Sequence, residues 1–280
     1  MDDIGLNLKT YWRETRPIGL AYAKEITAEF DALWNSCKIT AANYEMFEVV
    51  NSLVARQTTL TIYLAQDPLL WNVHFVPIIQ RCIFEIHINL AWIFKKPVER
   101  SKQFVEYGLG LQKLYIEHLK ANRDSYGEHF EEMLGAEINW LHSQRNPDLL
   151  LVDVGVSWSG LSLRDMAQEV ALIDYYNLYY SLLNAAVHSN WHFIGKHNVE
   201  RCENVLHRRH FLPSVGGVES DMSLLVSTVG MLNDSYELYK RSTDAQAEVG
   251  EAYQSLKQAR ASLFAKYSSQ QKKASEDNVD

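Results

Sequence analysis

Apolar residues recur along most of this chain at intervals of three and four, the spacing of one helix face, and strand-like alternation is scarce. The 280 residues include only six prolines and 13 glycines, so few positions interrupt the helical pattern. Pro17 and Pro77 suit the first turns of helices, where a missing backbone N–H costs nothing. The pattern predicts helices over residues 17–38, 41–66, 77–96, 97–121, 125–144, 162–170, 172–188, 218–240 and 244–266.

Two internal segments break this periodicity: residues 145–161 predict a loop, and residues 189–215 predict an irregular, His-rich segment. The expected fold is therefore all-α, a single helical bundle of about eight helices. Residues 1–240 would form the core domain, 241–266 a C-terminal amphipathic helix and 267–280 a disordered polar tail. The apolar side of the C-terminal helix would consist of Val249, Tyr253, Leu256 and Leu263.

The most apolar stretch, FVPIIQRCIFEIHINLAWIF at residues 75–94, is long enough to span a bilayer. Charged and polar groups lie in its middle, however, and they would be costly in lipid. This stretch is therefore expected to be a buried core helix, and no membrane association is expected. The groups concerned are Arg81, Glu85, His87 and Asn89.

Charge and cysteine content limit the binding partners and the cellular compartment that are expected. The formal net charge of −8 disfavours strong non-specific binding of nucleic acid, although a local basic patch is compatible with it. The three cysteines, Cys37, Cys82 and Cys202, are odd in number and far apart, which favours a reducing compartment over a disulfide framework. The N-terminus has no apolar run typical of a secretory signal. A cytoplasmic protein is expected.

Arg81 and Glu85 are four residues apart and share a face of the predicted core helix with Asn89. One interpretation is an internal ion pair that fixes the helix register. The other is a polar pocket that faces the His-rich segment, because charges in clefts are candidates for function.

A second stripe follows the predicted helix 172–188, where Tyr176, Tyr180, Asn184 and His188 recur every four residues. It is compatible with an internal ladder of hydrogen bonds. Alternatively, Asn184 and His188 point into a site, where histidine would act as a general acid or base.

The stretch HSNWHFIGKHNVERCENVLHRRH, residues 188–210, holds five of the ten histidines and one cysteine. It is compatible with a structural lid, with a metal site or with phosphate chemistry. Its five histidines and Cys202 are the candidate zinc ligands, but their spacing fits no standard zinc motif, so no metal is expected. They are His188, His192, His197, Cys202, His207 and His210. The run His207-Arg208-Arg209-His210 is a compact basic patch where a phosphate would bind.

The order Arg81-x3-Glu85, then WSGLSLRDMA (158–167), then Tyr180-x3-Asn184-x3-His188, then Cys202-x-Asn204-x-Leu206-His207-x2-His210, resembles an uncharacterised bacterial family known only as a domain of unknown function. The resemblance covers about residues 70–215. That family in turn resembles HEPN-like helical proteins (higher eukaryotes and prokaryotes nucleotide-binding), many of which are dimeric RNA-cleaving toxins or antiviral effectors. Two stretches are similar to the short HEPN arginine–histidine motif, Arg123-Asp124-SYGE-His129 and Arg201-CENVL-His207.

The resemblance implies a cytoplasmic homodimer of defence or toxin type that cleaves RNA or a nucleotide without metal or cofactor. Its catalytic set would be His188, Arg81, Glu85, Asn184 and His207, and Arg208, Arg209 and His210 would bind the substrate phosphate. The alternative is a non-catalytic helical module that binds a partner protein through the helix at 244–266.

Overall fold

The computed structural model describes residues 8–144, 157–215 and 219–276. Within these ranges helices make up most of the chain and strand is almost absent, which confirms the all-α prediction. Ten α-helices are present in the described ranges, one more than the nine ranges predicted, because α8 was not expected. They are α1 (Leu8–Asn35), α2 (Tyr44–Gln66), α3 (Val76–Lys95), α4 (Pro97–Ala121), α5 (Phe130–Ser143), α6 (Leu163–Glu169), α7 (Ile173–Val187), α8 (Trp191–His197), α9 (Met222–Ser242) and α10 (Glu251–Glu276).

The predicted irregular segment 189–215 contains two elements that the sequence pattern did not indicate. The first is the short helix α8, and the second is an antiparallel hairpin of β1 (Val199–Arg201) and β2 (Phe211–Pro213). Short 3₁₀ turns over Pro68–Leu70, Arg123–Ser125 and Gly127–His129 complete the described elements. Most of the predicted loop 145–161, namely residues 145–156, lies outside the described residues.

Helix α1 begins well before Pro17, the residue at which the pattern placed its start, and Pro17 lies inside it. A proline inside a helix costs about 3 kcal/mol. The cost is offset because Thr15, Tyr22 and Ile26 on the same helix are all buried against the rest of the bundle. The Thr15 hydroxyl also donates to the Tyr11 carbonyl at 2.7 Å.

Helix α3 lies at the centre of the bundle and connects two parts of the core. One cluster of buried side chains joins α3 to α1, α2, α9 and α10. A second joins α3 to α6 and α7. Because α3 packs on several sides, its apolar composition reflects burial in protein. Within the described ranges, no helix combines the length and the apolar character that crossing a bilayer requires.

Helix α10 packs against α1 and α9. Ala252 and Leu256 are buried in the main cluster, with Tyr253 and Leu263 packed beside them. The apolar side of this helix, which was predicted to bind a partner protein, thus packs within the chain itself. The helix extends beyond residue 266, so the polar tail expected to be disordered begins inside it, and residues 277–280 lie outside the described ranges.

Candidate functional site

Arg81 and Glu85 form an ion pair one helical turn apart on α3. Arg81 is nearly buried, with 14% of its side chain exposed, whereas Glu85 is 44% exposed. The Arg81 guanidinium also lies over the Tyr180 ring of α7, with its central carbon 4.6 Å from the ring centroid. A cation against an aromatic face and a carboxylate is held firmly in place. The pair therefore connects α3 to the Tyr180 stripe of α7.

The four residues of the α7 stripe differ in their surroundings. Tyr176 and Tyr180 stack with ring centroids 4.4 Å apart. Burial, and then the neighbouring Tyr180, raises the pKa of Tyr176 to about 12, so its hydroxyl stays protonated. Asn184 is half-buried, and its Oδ1 is buried with no hydrogen-bond partner in the described part of the chain. The stripe is therefore not the continuous hydrogen-bond ladder that one interpretation offered.

His188 follows the last residue of α7 and is exposed. Its backbone N–H donates to the Asn184 carbonyl at 3.0 Å, which closes the helix. Among the described residues its ring makes no hydrogen bond or ion pair. An exposed imidazole at a helix end is accessible to a ligand, as a general acid or base must be.

A small cavity of about 230 Å³ opens beside Glu85. It lies between α3 and the segment that leads into α6, and Asn89 and Met166 contribute to its wall. The α6 segment is fixed there because the Ser162 hydroxyl accepts the Asp165 N–H at 3.2 Å and caps the helix. The full lining is Glu85, Asn89, Ser157, Trp158, Ser159, Leu161, Leu163 and Met166.

Trp158 of the cavity wall contacts the Trp92 ring. Beside Trp92, Arg100 of α4 is buried and pairs with Glu169 at the end of α6. Arg100 also donates to the Trp92 carbonyl at 2.6 Å, and the Trp92 ring N–H donates to Glu169 at 2.8 Å. Hydrogen bonds from Arg100 and then Trp92 lower the pKa of the Glu169 carboxyl. This cluster holds α6 against α3 and α4. Its partners are 69 residues apart, so no periodic signal indicated it.

The basic run lies at the turn of the β1–β2 hairpin, where Arg208 and Arg209 are exposed. Cys202, His207 and His210 offer ligand atoms that all lie within 4.8 Å of one another. The Cys202 Sγ is 3.7 Å from Nδ1 of His207. Among the described residues, this is the group of side chains close enough together that it could hold a metal ion.

The other histidines of the stretch lie elsewhere. His192 contacts Lys196 on the exposed side of α8, with 3.4 Å between the two nitrogens. His197 contacts the rings of Phe193 and His74, and partial burial lowers its pKa.

The predicted site residues therefore form three groups. In the first group, Arg81 and Glu85 contact each other and Arg81 contacts Tyr180. The second group is Asn184 and His188, further along α7. The third is residues 207–210, in the hairpin turn. No hydrogen bond or ion pair in the described ranges joins these groups to one another. Of the two motif matches, Arg123 pairs with Glu131 on the surface, and Arg201 lies in β1.

These features define an all-α protein with a cation–aromatic cluster between two helices and a hairpin that carries possible metal ligands. The family of unknown function DUF5677 matches residues 49–204, which is more than half of the chain, and the chain belongs to that family. The matched range includes Arg81, Glu85, Asn184, His188 and Cys202. No curated protein and no solved structure matches the chain.

Proposed function

We propose that this protein binds RNA across the face shared by α3 and α7, and that His188 acts there in metal-independent cleavage of a phosphodiester bond. The main support is the position of Arg81, whose guanidinium lies over the Tyr180 ring and pairs with Glu85. Tyr180 lies two helical turns before the exposed His188 on the same stripe of α7. This provides a cation for phosphate and an imidazole for proton transfer on one side of α7. The resemblance to HEPN-like proteins favours the same chemistry.

The span of the site favours an extended ligand. Tyr180 and His188 are eight residues apart on α7, a rise of about 12 Å. One phosphate group cannot contact both the guanidinium at Tyr180 and the imidazole at the helix end. A strand of RNA can, with one phosphate near Arg81 and the reacting phosphate near His188. Asn184 lies between them and would help to position the ligand and the end of α7.

In the proposed reaction, the imidazole of His188 removes the proton of a ribose 2′-hydroxyl, and the 2′-oxygen attacks the adjacent phosphorus. The bond from phosphorus to the 5′-oxygen breaks, and the imidazolium returns the proton to that oxygen. The products are a 2′,3′-cyclic phosphate and a free 5′-hydroxyl. Arg208 and Arg209, exposed at the hairpin turn, would attract the RNA backbone.

The test compares the intact protein with His188→Ala on a fluorescent RNA in the presence of a chelator, with the fold of each checked by circular dichroism. His142→Ala is the matched control, because His142 is an exposed histidine in the last turn of α5. Cleavage by wild type and by His142→Ala, at least about 100-fold slower in His188→Ala, is expected for a lost general acid–base. Equal cleavage by both variants, or none by wild type, overturns the proposal.

One observation favours a second candidate function, a non-catalytic module that pairs with a second copy of the chain. Leu178 and Leu182 on α7 and Trp191 on α8 are 62%, 57% and 68% exposed. Leu178 and Leu182 lie on the flank of α7 away from the Tyr176–His188 stripe. The homodimer implied by the HEPN resemblance would cover such a face.

Light scattering of wild type and Leu182→Glu tests this candidate. A dimer that dissociates in Leu182→Glu supports it. A monomeric wild type at high protein concentration, or an equally stable dimer in the variant, rejects it.

A further inference from the structure

The turn of the β1–β2 hairpin brings one thiol and two imidazoles together. Arg201 is paired with Phe211 in the ladder, and the Cys202 N–H donates to the His210 carbonyl at 3.0 Å. Cys202 and His210 are thus neighbours across the two arms of the hairpin. His207 reaches the same place from the turn itself, where its N–H donates to the Asn204 carbonyl at 2.9 Å.

The turn has a backbone conformation that favours this arrangement. Arg209 has a φ of 63°, in the left-handed region that residues other than glycine rarely adopt. Asn204 supports the other side, because its Oδ1 accepts the Leu206 N–H at 3.0 Å. The reversal at Arg209 returns the chain so that His210 lies beside Cys202.

The spacing of the ligand atoms agrees with that around a tetrahedral zinc ion. Metal distances of about 2.3 Å for sulfur and 2.0–2.1 Å for nitrogen imply about 3.6 Å between a sulfur and a nitrogen ligand. The Cys202 Sγ and His207 Nδ1 are 3.7 Å apart. The third ligand, an atom of His210, lies within 4.8 Å of both. Small side-chain rotations would complete the site.

We propose that Cys202, His207 and His210 bind one Zn²⁺ ion, with a solvent molecule as the fourth ligand. A thiolate with two imidazoles suits zinc, whereas Mg²⁺ and Ca²⁺ prefer oxygen ligands. The site is independent of the RNA proposal and assigns His207 and His210 to the metal. Arg208 and Arg209, between them in sequence, then remain exposed beside a cluster whose net charge is positive.

The test uses the full chain without a histidine tag, stripped of metal and titrated with Co²⁺ as a spectroscopic substitute for Zn²⁺. One Co²⁺ per chain is expected, with a thiolate-to-cobalt charge-transfer band that excess Zn²⁺ removes. Removing a group that hydrogen-bonds to a metal ligand lowers metal affinity by about 10–100-fold, so removing the ligand itself should lower it by more than about 100-fold. Cys202→Ser should abolish the charge-transfer band, and His207→Ala and His210→Ala should each weaken binding by that factor.

His192→Ala is the matched control, since His192 is an exposed histidine of the same stretch that lies outside the cluster. It should bind Co²⁺ as wild type does. A second measurement is the rate of alkylation of Cys202, which Zn²⁺ should slow at least about tenfold. Alkylation requires the free thiolate, and the same thiolate would be bound to the metal. Cys37 and Cys82 in the same sample should react at unchanged rates.

The proposal fails if Co²⁺ gives no charge-transfer band, if either His207→Ala or His210→Ala binds as tightly as His192→Ala, or if Zn²⁺ does not protect Cys202. None of these measurements depends on RNA cleavage, so the zinc site and the RNA proposal succeed or fail separately.

Discussion

Acidification should destabilise this protein through His87, a histidine in the middle of α3. The residue is 6% exposed, and its ring Nδ1 lies 2.9 Å from the Ser235 hydroxyl of α9. The same hydroxyl accepts the Gln57 side-chain N–H at 3.0 Å, so polar groups from three helices meet there. Burial, reinforced by the charge of Arg241, lowers the pKa of His87 from 6.5 to about 4.

The direction of the effect follows from the two pKa values. Between about pH 6.5 and 4 the unfolded chain binds a proton at His87 and the folded chain does not, so the free energy of unfolding falls as pH falls. Below the folded pKa both states are protonated and this loss stops. A difference of about 2.5 pKa units corresponds to about 3 kcal/mol. From about pH 7 to pH 5, about 2 kcal/mol of it is lost.

Urea unfolding of wild type and His87→Gln at about pH 7 and pH 5 measures this contribution. Glutamine does not titrate and can still hydrogen-bond to Ser235. The variant is expected to start less stable but to lose about 2 kcal/mol less than wild type on acidification. His118→Gln is the matched control, because His118 is exposed in the last turn of α4. If His87→Gln and His118→Gln lost the same stability as wild type, the account of His87 would be refuted.

Two further predictions concern helix contacts, and urea unfolding measures both. A Cβ on Gly19 would lie 1.9 Å from the Ala65 carbonyl oxygen, so Gly19→Ala should lower the free energy of unfolding by about 3 kcal/mol. Gly108 in α4 has open space around it, so Gly108→Ala should raise the free energy of unfolding by about 0.5–1 kcal/mol. Equal effects would contradict the close approach of α1 and α2. Arg100→Met should cost about 2 kcal/mol, less than a fully buried pair, because the abandoned Glu169 is 41% exposed and can be hydrated. An unchanged stability would show that this ion pair does not hold α6.

Several helix limits were predicted to within one residue. The pattern placed the central helix at 77–96 and the tyrosine helix at 172–188, within a residue of α3 and α7. The start of α1 was wrong because the pattern took Pro17 as a boundary, while burial of the face that begins before it outweighs the proline. Tertiary packing decided that limit, and packing is not visible in local sequence.

The hairpin could not be predicted from its strands, because each has only three residues and neither has an alternating pattern. The same limit applies to the sites. The spacing of Arg81 and Glu85 indicated their pairing, but the contact with Tyr180 joins positions about 100 residues apart. The proximity of Cys202 to His210 required the hairpin register, which the sequence alone did not reveal.

The family match ends at residue 204, yet the structure that supports its residues extends further. Helix α9 lies wholly outside the matched range and buries Leu225, Leu232 and Tyr236 in the cluster that contains α3. Without α9, the side of α3 that carries His87 would face water, and Ser235 would be missing. The position of Arg81 on α3 therefore depends on residues that the family match does not include. A fragment of residues 49–204 is therefore expected to lose the candidate site.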